Sequence, residues 1–314
     1  MAQINRKSKS KIARLSIVVP RGEASEDAFE TSLVSVLQHR PASCEVIVPH
    51  DGSYDDPFDL ADEVEFLGVD SDRLLTQIHA AANVAHGRFV HVVARGHAVT
   101  AGWCDAALSM FERWDAGIVT PVVRDADGFV NHAGWRHGAS SACYLIGHDD
   151  LELRLEEAAH VDGAFLDCGF WRRDLLRSLE GAYVGQDPIE ASVAYAFASG
   201  RADWRCVVAP DCQIRSGEHE VIDDVRAHQR TLQAIANHYQ GGGWNRCFSR
   251  LVSSMMGRQG GLPVGIARAT APLVQTSTER KLRDIDVPHV DSVIEGGRRL
   301  QIPSKDNRTY RRAA

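Results

Sequence analysis

The chain has 314 residues, 44 % of them apolar and 25 % charged, with a formal net charge of −7. That length suits one large α/β domain with appendages or two smaller domains, and the acidic balance argues against general nucleic-acid binding. No apolar run approaches the roughly 20 residues that cross a bilayer; the longest, Leu262 to Val274, is interrupted by Arg268.

In chain order, residues 1–13 read as a flexible basic leader with no apolar stretch of the kind a signal peptide needs. Arg6, Lys7, Lys9, Lys11 and Arg14 at this end, and Arg308, Arg311 and Arg312 at the other, suit peripheral contact with an anionic membrane face. The plainer alternative is solvated tails. Leu15-Ser16-Ile17-Val18-Val19-Pro20 is a buried strand stopped by proline. Ser25 caps a helix with Glu26 and Asp27 in its first turn and Phe29, Leu33, Val36 and Leu37 along its buried face. A second strand, Cys44 to Pro49, runs into the turn His50-Asp51-Gly52-Ser53, and Val64 to Val69 forms a third.

Leu74, Ile78, Ala81, Ala82 and Ala85 have helical spacing, ended by Gly87, and Phe89 to Val93 is the fourth strand. Thr100 is expected to cap a helix bearing Trp103, Ala107, Met110, Phe111 and Trp114 on one face, before a strand from Ile118 to Val123. Strands alternating with such helices predict a parallel sheet, with ligands bound at the carboxyl ends of its strands. Pro20, Asp51 and Arg95 then share one rim.

The second half is less regular. The pattern predicts a turn over 124–128, a short acidic helix over 151–159, a strand-like stretch from Gly163 to Trp171 and a helix over 172–179. A further helix opens at Asp187-Pro188-Ile189-Glu190, Trp204 to Val208 is strand-like, and Val221 to Tyr239 reads as one long amphipathic helix. After Gly241-Gly242-Gly243 the tail is expected to be part helical and part extended.

Seven scattered cysteines without a Cys-x-x-Cys pair fit reduced thiols in the cytoplasm. Among fourteen histidines, the pairs His91/His97 and His132/His137 lack helical spacing and an adjacent carboxylate, which favours surface or core roles over metal ligation. Trp135 and Trp171 fall near expected loops, where an indole could stack on a sugar face.

Four ordered segments resemble the family 2 glycosyltransferases of GT-A fold. They are Leu15–Pro20 with Ser32–Leu37 behind it; Glu45–Asp56, similar to that family's strand and Asp-Asp-Gly-Ser turn with a following Asp; Ala85–Val90 with Thr100–Trp103; and Asp127–Gly134. The resemblance spans about residues 14–215. It implies an α/β, Rossmann-like, mostly parallel sheet flanked by helices over residues 14–240, with a part-helical, part-irregular C-terminal extension over 241–314. It also implies inverting transfer from a nucleoside-diphosphate-sugar donor, of UDP or dTDP type, to a glycan or lipid-linked acceptor, at the cytoplasmic side of a membrane or in the cytoplasm.

By this resemblance Pro20, Asp51, Gly52 and Ser53 face the donor nucleotide, although Asp-Gly is also an ordinary turn pair. At the end of the fourth strand the family carries Asp-x-Asp for Mn or Mg; here Ala94-Arg95-Gly96 stands instead. Ala94 and Gly96 cannot ligate a cation, so no metal ligand is assigned. Arg95, with forked donors suited to phosphate, and His97 are the candidates to stabilise the diphosphate without metal. Asp187 matches the family's base position, with Glu190 second, and His219 loosely matches a histidine placed after a strand. Asp187, Pro188 and Glu190 equally make a helix-capping pattern. Two readings therefore stand: a transferase, or a catalytically silent relative that binds nucleotide, glycan or a protein partner. They part on whether Asp187 or Glu190 faces the cleft of Asp51 and Arg95.

Overall fold

The computed structural model describes residues 14–54, 59–60, 63–138, 141–217, 221–240, 262–292, 294–295 and 298–299. The basic leader, Asp55, Asp56, His219, Gly241–Gly243, Cys247 and the arginines after residue 300 lie outside the described residues. The elements are β1 (Leu15–Val18), α1 (Glu26–His39), β2 (Cys44–His50), β3 (Glu65–Gly68), α2 (Leu74–Val84), β4 (Phe89–Val92), β5 (Ala98–Val99), α3 (Trp103–Met110) and β6 (Ala116–Arg124). They continue with β7 (Val130–His132), β8 (Trp135–Arg136), β9 (Tyr144–Leu145), α4 (Leu155–Ala158), β10 (Phe170–Arg172), α5 (Arg173–Ser178), α6 (Pro188–Arg201), β11 (Arg205–Arg215), α7 (Val221–Ala227), α8 (Gln229–Gln240) and α9 (Leu262–Glu279).

Nine strands form one sheet in the order β3-β2-β1-β4-β10-β6-β11-β5, with β7 beside β6. The first four are parallel, β10 is antiparallel to both neighbours, and β6 and β11 resume the first direction. Six of the nine strands therefore share one sense, and the α/β, Rossmann-like sheet flanked by helices is as expected. β1, β4 and β6 are buried on both faces because helices cover both, which is why they are mostly apolar, with Ser16 and His91 the buried polar exceptions in β1 and β4. One core packs α2, α5 and α6 on one side (Ile78, Trp171, Leu176, Tyr195), and the other packs α1 and α3 (Phe29, Leu33, Trp103, Phe111).

Ser25 caps α1 through its side chain, accepting from Ala28 N at 3.2 Å. On the buried face of this helix Ser32 Oγ accepts from Gly96 N and Ser35 Oγ from Val99 N, both at 3.1 Å, so α1 fastens the loop after β4.

Several expectations are corrected. Thr100 does not cap α3, whose N-cap is the left-handed Gly102, and Trp114 is half exposed beyond the helix end. The acidic helix shrinks to α4 because Arg124 donates to the Leu151 carbonyl at 2.9 Å and holds that stretch as a turn. Residues 163–169 are not strand: Gly169 N bonds back to Phe165 O at 2.9 Å, closing a turn before β10. Trp135 and Trp171 are fully buried and face no sugar. The long helix is two, α7 and α8, parted at His228, whose backbone N and ring Nδ1 both engage the Asp224 carbonyl at 3.0 and 2.9 Å.

From the C-terminal extension, α9 lies along α8, and Ala271, Leu282 and Val290 are buried. Val184 N donates to Lys281 O, and Trp204 Nε1 to Pro288 O at 2.7 Å. No helix among the described residues is long and apolar enough to cross a membrane.

Candidate active site

The carboxyl ends of β1, β2 and β4 release three neighbouring loops. Val19 N still bonds Ile47 O, Val93 N bonds Val18 O, and Ala94 N bonds Asp167 O, all at 2.9–3.0 Å, which fixes the loops at their roots. Two clefts open on this rim. One of ≈ 390 Å³ is lined by Pro20, Arg21, Gly22, Ser25, Leu74, Ala94 and Arg95. The other, ≈ 810 Å³, lies toward the ends of β6 and β11 and includes Gly96, Asp125, Asn131, Ser216 and Arg226. Both share Ser25 and Ala28 at the start of α1, and the Arg95-Gly96 loop stands between them.

Pro20 and Arg95 thus line the first cleft as expected. Asp51, Gly52 and Ser53 line neither. Asp51 Oδ1 instead accepts from Ser53 N at 3.0 Å and from Ser53 Oγ at 2.5 Å, an exposed turn in which Gly52 takes φ +91°. Those donors from Ser53 hold the Asp51 carboxyl below its ordinary value.

Arg95 occupies the left-handed region at φ +56°, a conformation that costs a non-glycine residue about 1–2 kcal/mol. Its carbonyl is crowded by the chain leaving β11: a Cβ on Gly217 would lie 2.2 Å from Arg95 O. Only glycine lets the two loops meet there. The quarter-exposed guanidinium pairs with Asp224 of α7, Nη1 to Oδ2 at 3.3 Å.

His97, expected to face phosphate, is 5 % exposed and turned inward. Its Nε2 lies 3.7 Å from Asp167 Oδ2, and its Nδ1 accepts from Gly217 N at 3.4 Å. Burial pushes the Asp167 carboxyl up, but the His97 hydrogen bond and the charges of His97 and Arg95 outweigh it and hold the group well below the usual carboxylate range. The signal for Asp167 is absent from local sequence, because its partners lie some seventy residues upstream. Nearby His132 is sealed beside Phe165, and burial holds it down to about 3, so it stays neutral.

Asp187 is the N-cap of α6: Oδ1 accepts from Glu190 N at 2.8 Å, ahead of Pro188, which has no N–H to satisfy. Its other oxygen, Oδ2, lies 3.1 Å from His228 Nε2, and both side chains are about 30 % exposed (31 % for His228 and 28 % for Asp187). Glu190 is enclosed at 4 % exposure. It accepts from Tyr183 Oη and faces Lys281 Nζ at 3.2 Å, so it anchors α6 to the chain after α9 and is no open carboxylate. His228 and Asp224 are four residues apart on one helical face. His228 Nδ1 meets the backbone carbonyl of Asp224, whose carboxylate pairs with Arg95, so Asp187–His228 and Asp224–Arg95 are two pairs joined through the backbone at the end of α7. Asp187, Glu190 and His228 line neither cleft. The sequence reading missed Asp224 and His228; their i, i+4 spacing was the available signal.

The residues present do not suit a divalent cation at the end of β4. Ala94 and Gly96 offer no ligand atom. Among the described residues His97, Asp167 and Cys168 converge within 4.8 Å, but the Gly217 N–H aimed at His97 Nδ1 makes that nitrogen an acceptor. The ring proton then sits on Nε2, toward Asp167, where a metal would need a lone pair. Asp187, Glu190 and His228 also converge, beside the cationic Lys281.

No protein-family model matches the sequence, and no curated protein matches it significantly. Solved structures similar in shape include a mannosyltransferase, PcManGT, from Pyrobaculum calidifontis in complex with GDP-Man and Mn2+, 15 % identical over 87 % of this chain and 74 % of that one, TM-score 0.45. S. aureus TarS 1-349 is similar both with UDP (12 % identical, TM-score 0.46) and with UDP-GlcNAc (13 %, 0.46), each over 85 % of this chain and 89 % of that one. These are distant likenesses of shape.

Proposed function

We propose that the chain is an inverting glycosyltransferase that uses a nucleoside-diphosphate sugar and works without a metal at its diphosphate site. The observation that carries this reading is Arg95, a phosphate-suited cation lining the first cleft, whose Asp224 partner is tied through its backbone carbonyl to His228 and so to the partly exposed Asp187 carboxylate. In the proposed step the acceptor hydroxyl gives its proton to Asp187 while its oxygen attacks the anomeric carbon. The bond from that carbon to the phosphate oxygen breaks, and the diphosphate leaves with the electron pair, stabilised by Arg95. The donor diphosphate would lie in the cleft of Pro20, Gly22 and Arg95, and the glycan or lipid-linked acceptor in the larger cleft beyond Gly96. His228 would orient Asp187, and Asp224 would hold Arg95 until phosphate competes for it.

The silent-relative reading draws on a different observation. Asp187 already serves as helix cap and as partner of His228. A calorimetric panel of UDP, dTDP and GDP and their sugars, with and without manganese or chelator, tests the proposal. Binding of at least one nucleotide, unchanged by chelator, is expected. Binding of none would overturn the transferase reading, and activity abolished by chelator would overturn the role given to Arg95.

A further inference from the structure

On the opposite edge of the sheet, where β6 and β11 begin, a groove of ≈ 620 Å³ is lined by four arginines, Arg113, Arg136, Arg201 and Arg205, against one aspartate, Asp162. Its size is that of an ordinary ligand site. What sets it apart is how the guanidinium groups are held. Arg201 lies over the Tyr239 ring at 4.7 Å and donates to the Tyr239 carbonyl at 3.1 Å. Arg136 lies over the Tyr144 ring at 4.9 Å. Aromatic faces and a carbonyl position these two cations without neutralising them; among the described residues neither has a carboxylate within ion-pair distance. Arg113 and Arg205 share the single carboxylate of Asp115, at 3.6 and 3.0 Å. Asp162, the one acid in the lining, already accepts from His137 N at 2.6 Å. The Phe197 and Tyr239 rings, stacked 5.8 Å apart, add an apolar side to the groove.

We infer that this groove binds a ligand carrying two or more phosphate groups, at a site separate from the clefts beside Arg95 and Gly96. Preset guanidinium forks match phosphate oxygens in pairs, and the ordering cost of the side chains is already met by their ring contacts. The inference does not rest on the transferase reading.

Inorganic tripolyphosphate is the probe, titrated calorimetrically into the full chain carrying Arg95→Gln, so that the other rim does not contribute. One equivalent should bind, and binding should weaken as salt rises from about 50 to 200 mM. Adding Arg136→Gln and Arg201→Gln should weaken it at least about tenfold, with Arg136→Lys and Arg201→Lys intermediate because charge remains and the fork is lost. Thermal unfolding of each variant separates lost binding from lost fold. No binding to the Arg95→Gln chain, or equal binding by the folded groove variants, would overturn the inference.

Discussion

Two aspartate–histidine pairs flank the loop after β4, and they differ chiefly in access. Asp167 and His97 are 3 % and 5 % exposed and fasten the loop from below. Asp187 and His228 keep nearly a third of their side-chain surface in solvent, although they line neither rim cleft. Both combine a carboxylate with an imidazole. The sealed pair has no room for a reacting hydroxyl, so its electrostatics is spent on holding Ala94–Gly96 in place; the open pair can receive a proton. Burial assigns the roles that residue type leaves undecided.

The comparison can be broken by exchanging the effects of the two pairs. Asp187→Asn keeps an oxygen to cap α6, so thermal stability should stay near that of the parent while sugar transfer falls about 10²–10⁴-fold. A loss of fold with no separate loss of turnover would make Asp187 structural, like Asp167. Arg95→Gln should lower kcat by about 10²–10³-fold while leaving the fold intact, since the side chain is paired only at its tip. Asp167→Asn should behave oppositely: about 1–3 kcal/mol of stability lost in urea unfolding, because the buried charge-assisted hydrogen bond to His97 is replaced by a neutral one.

Acid should separate the regions further. Burial holds His91 and His132 down to about 3 and His79 to about 4, whereas in the unfolded chain they take protons near their ordinary 6.5. Their folded pKa values are depressed, so the unfolded state binds more protons below pH 6.5 and stability falls as pH drops toward 4. Asp167 adds the same sign below about pH 4, its unfolded value, because the folded carboxyl resists protonation. His91 stacks flat on Phe170, with ring centroids 3.6 Å apart. Replacing it by Phe should flatten the slope of unfolding free energy between pH 6 and 4 by about 1.4 kcal/mol per pH unit, one proton's worth. An unchanged slope would mean His91 is not held neutral. The smallest effect is expected from Asp224→Asn, which frees Arg95 and removes a negative charge from the rim. Nucleoside diphosphate should then bind a few-fold more tightly, about 0.5–1 kcal/mol.

Much of the fold was legible where its signals are local. Ser25 with Glu26 and Asp27 marks a helix start, the Val/Ile runs mark strands covered on both faces, and Asp187-Pro188 marks the start of α6. The misreadings share a cause in distant contacts. Gly163 to Gly169 looked extended, yet a Cβ on Gly163 would meet Trp135 at 2.5 Å, and the chain turns there to bring Asp167 under Ala94. His97 reads as a rim donor because its covers, Gly217 and Asp167, lie 70 residues or more away in the chain. Helical periodicity carried through His228 unbroken, since nothing local shows that its ring takes the Asp224 carbonyl.

Helix α6 has Asp187 at one end and Arg201 at the other. Fourteen residues at 1.5 Å each make a rod of about 20 Å. A single sugar or nucleotide cannot touch both ends. A ligand held by Arg201 and a hydroxyl offered to Asp187 therefore belong to two separate molecules or to one chain several units long.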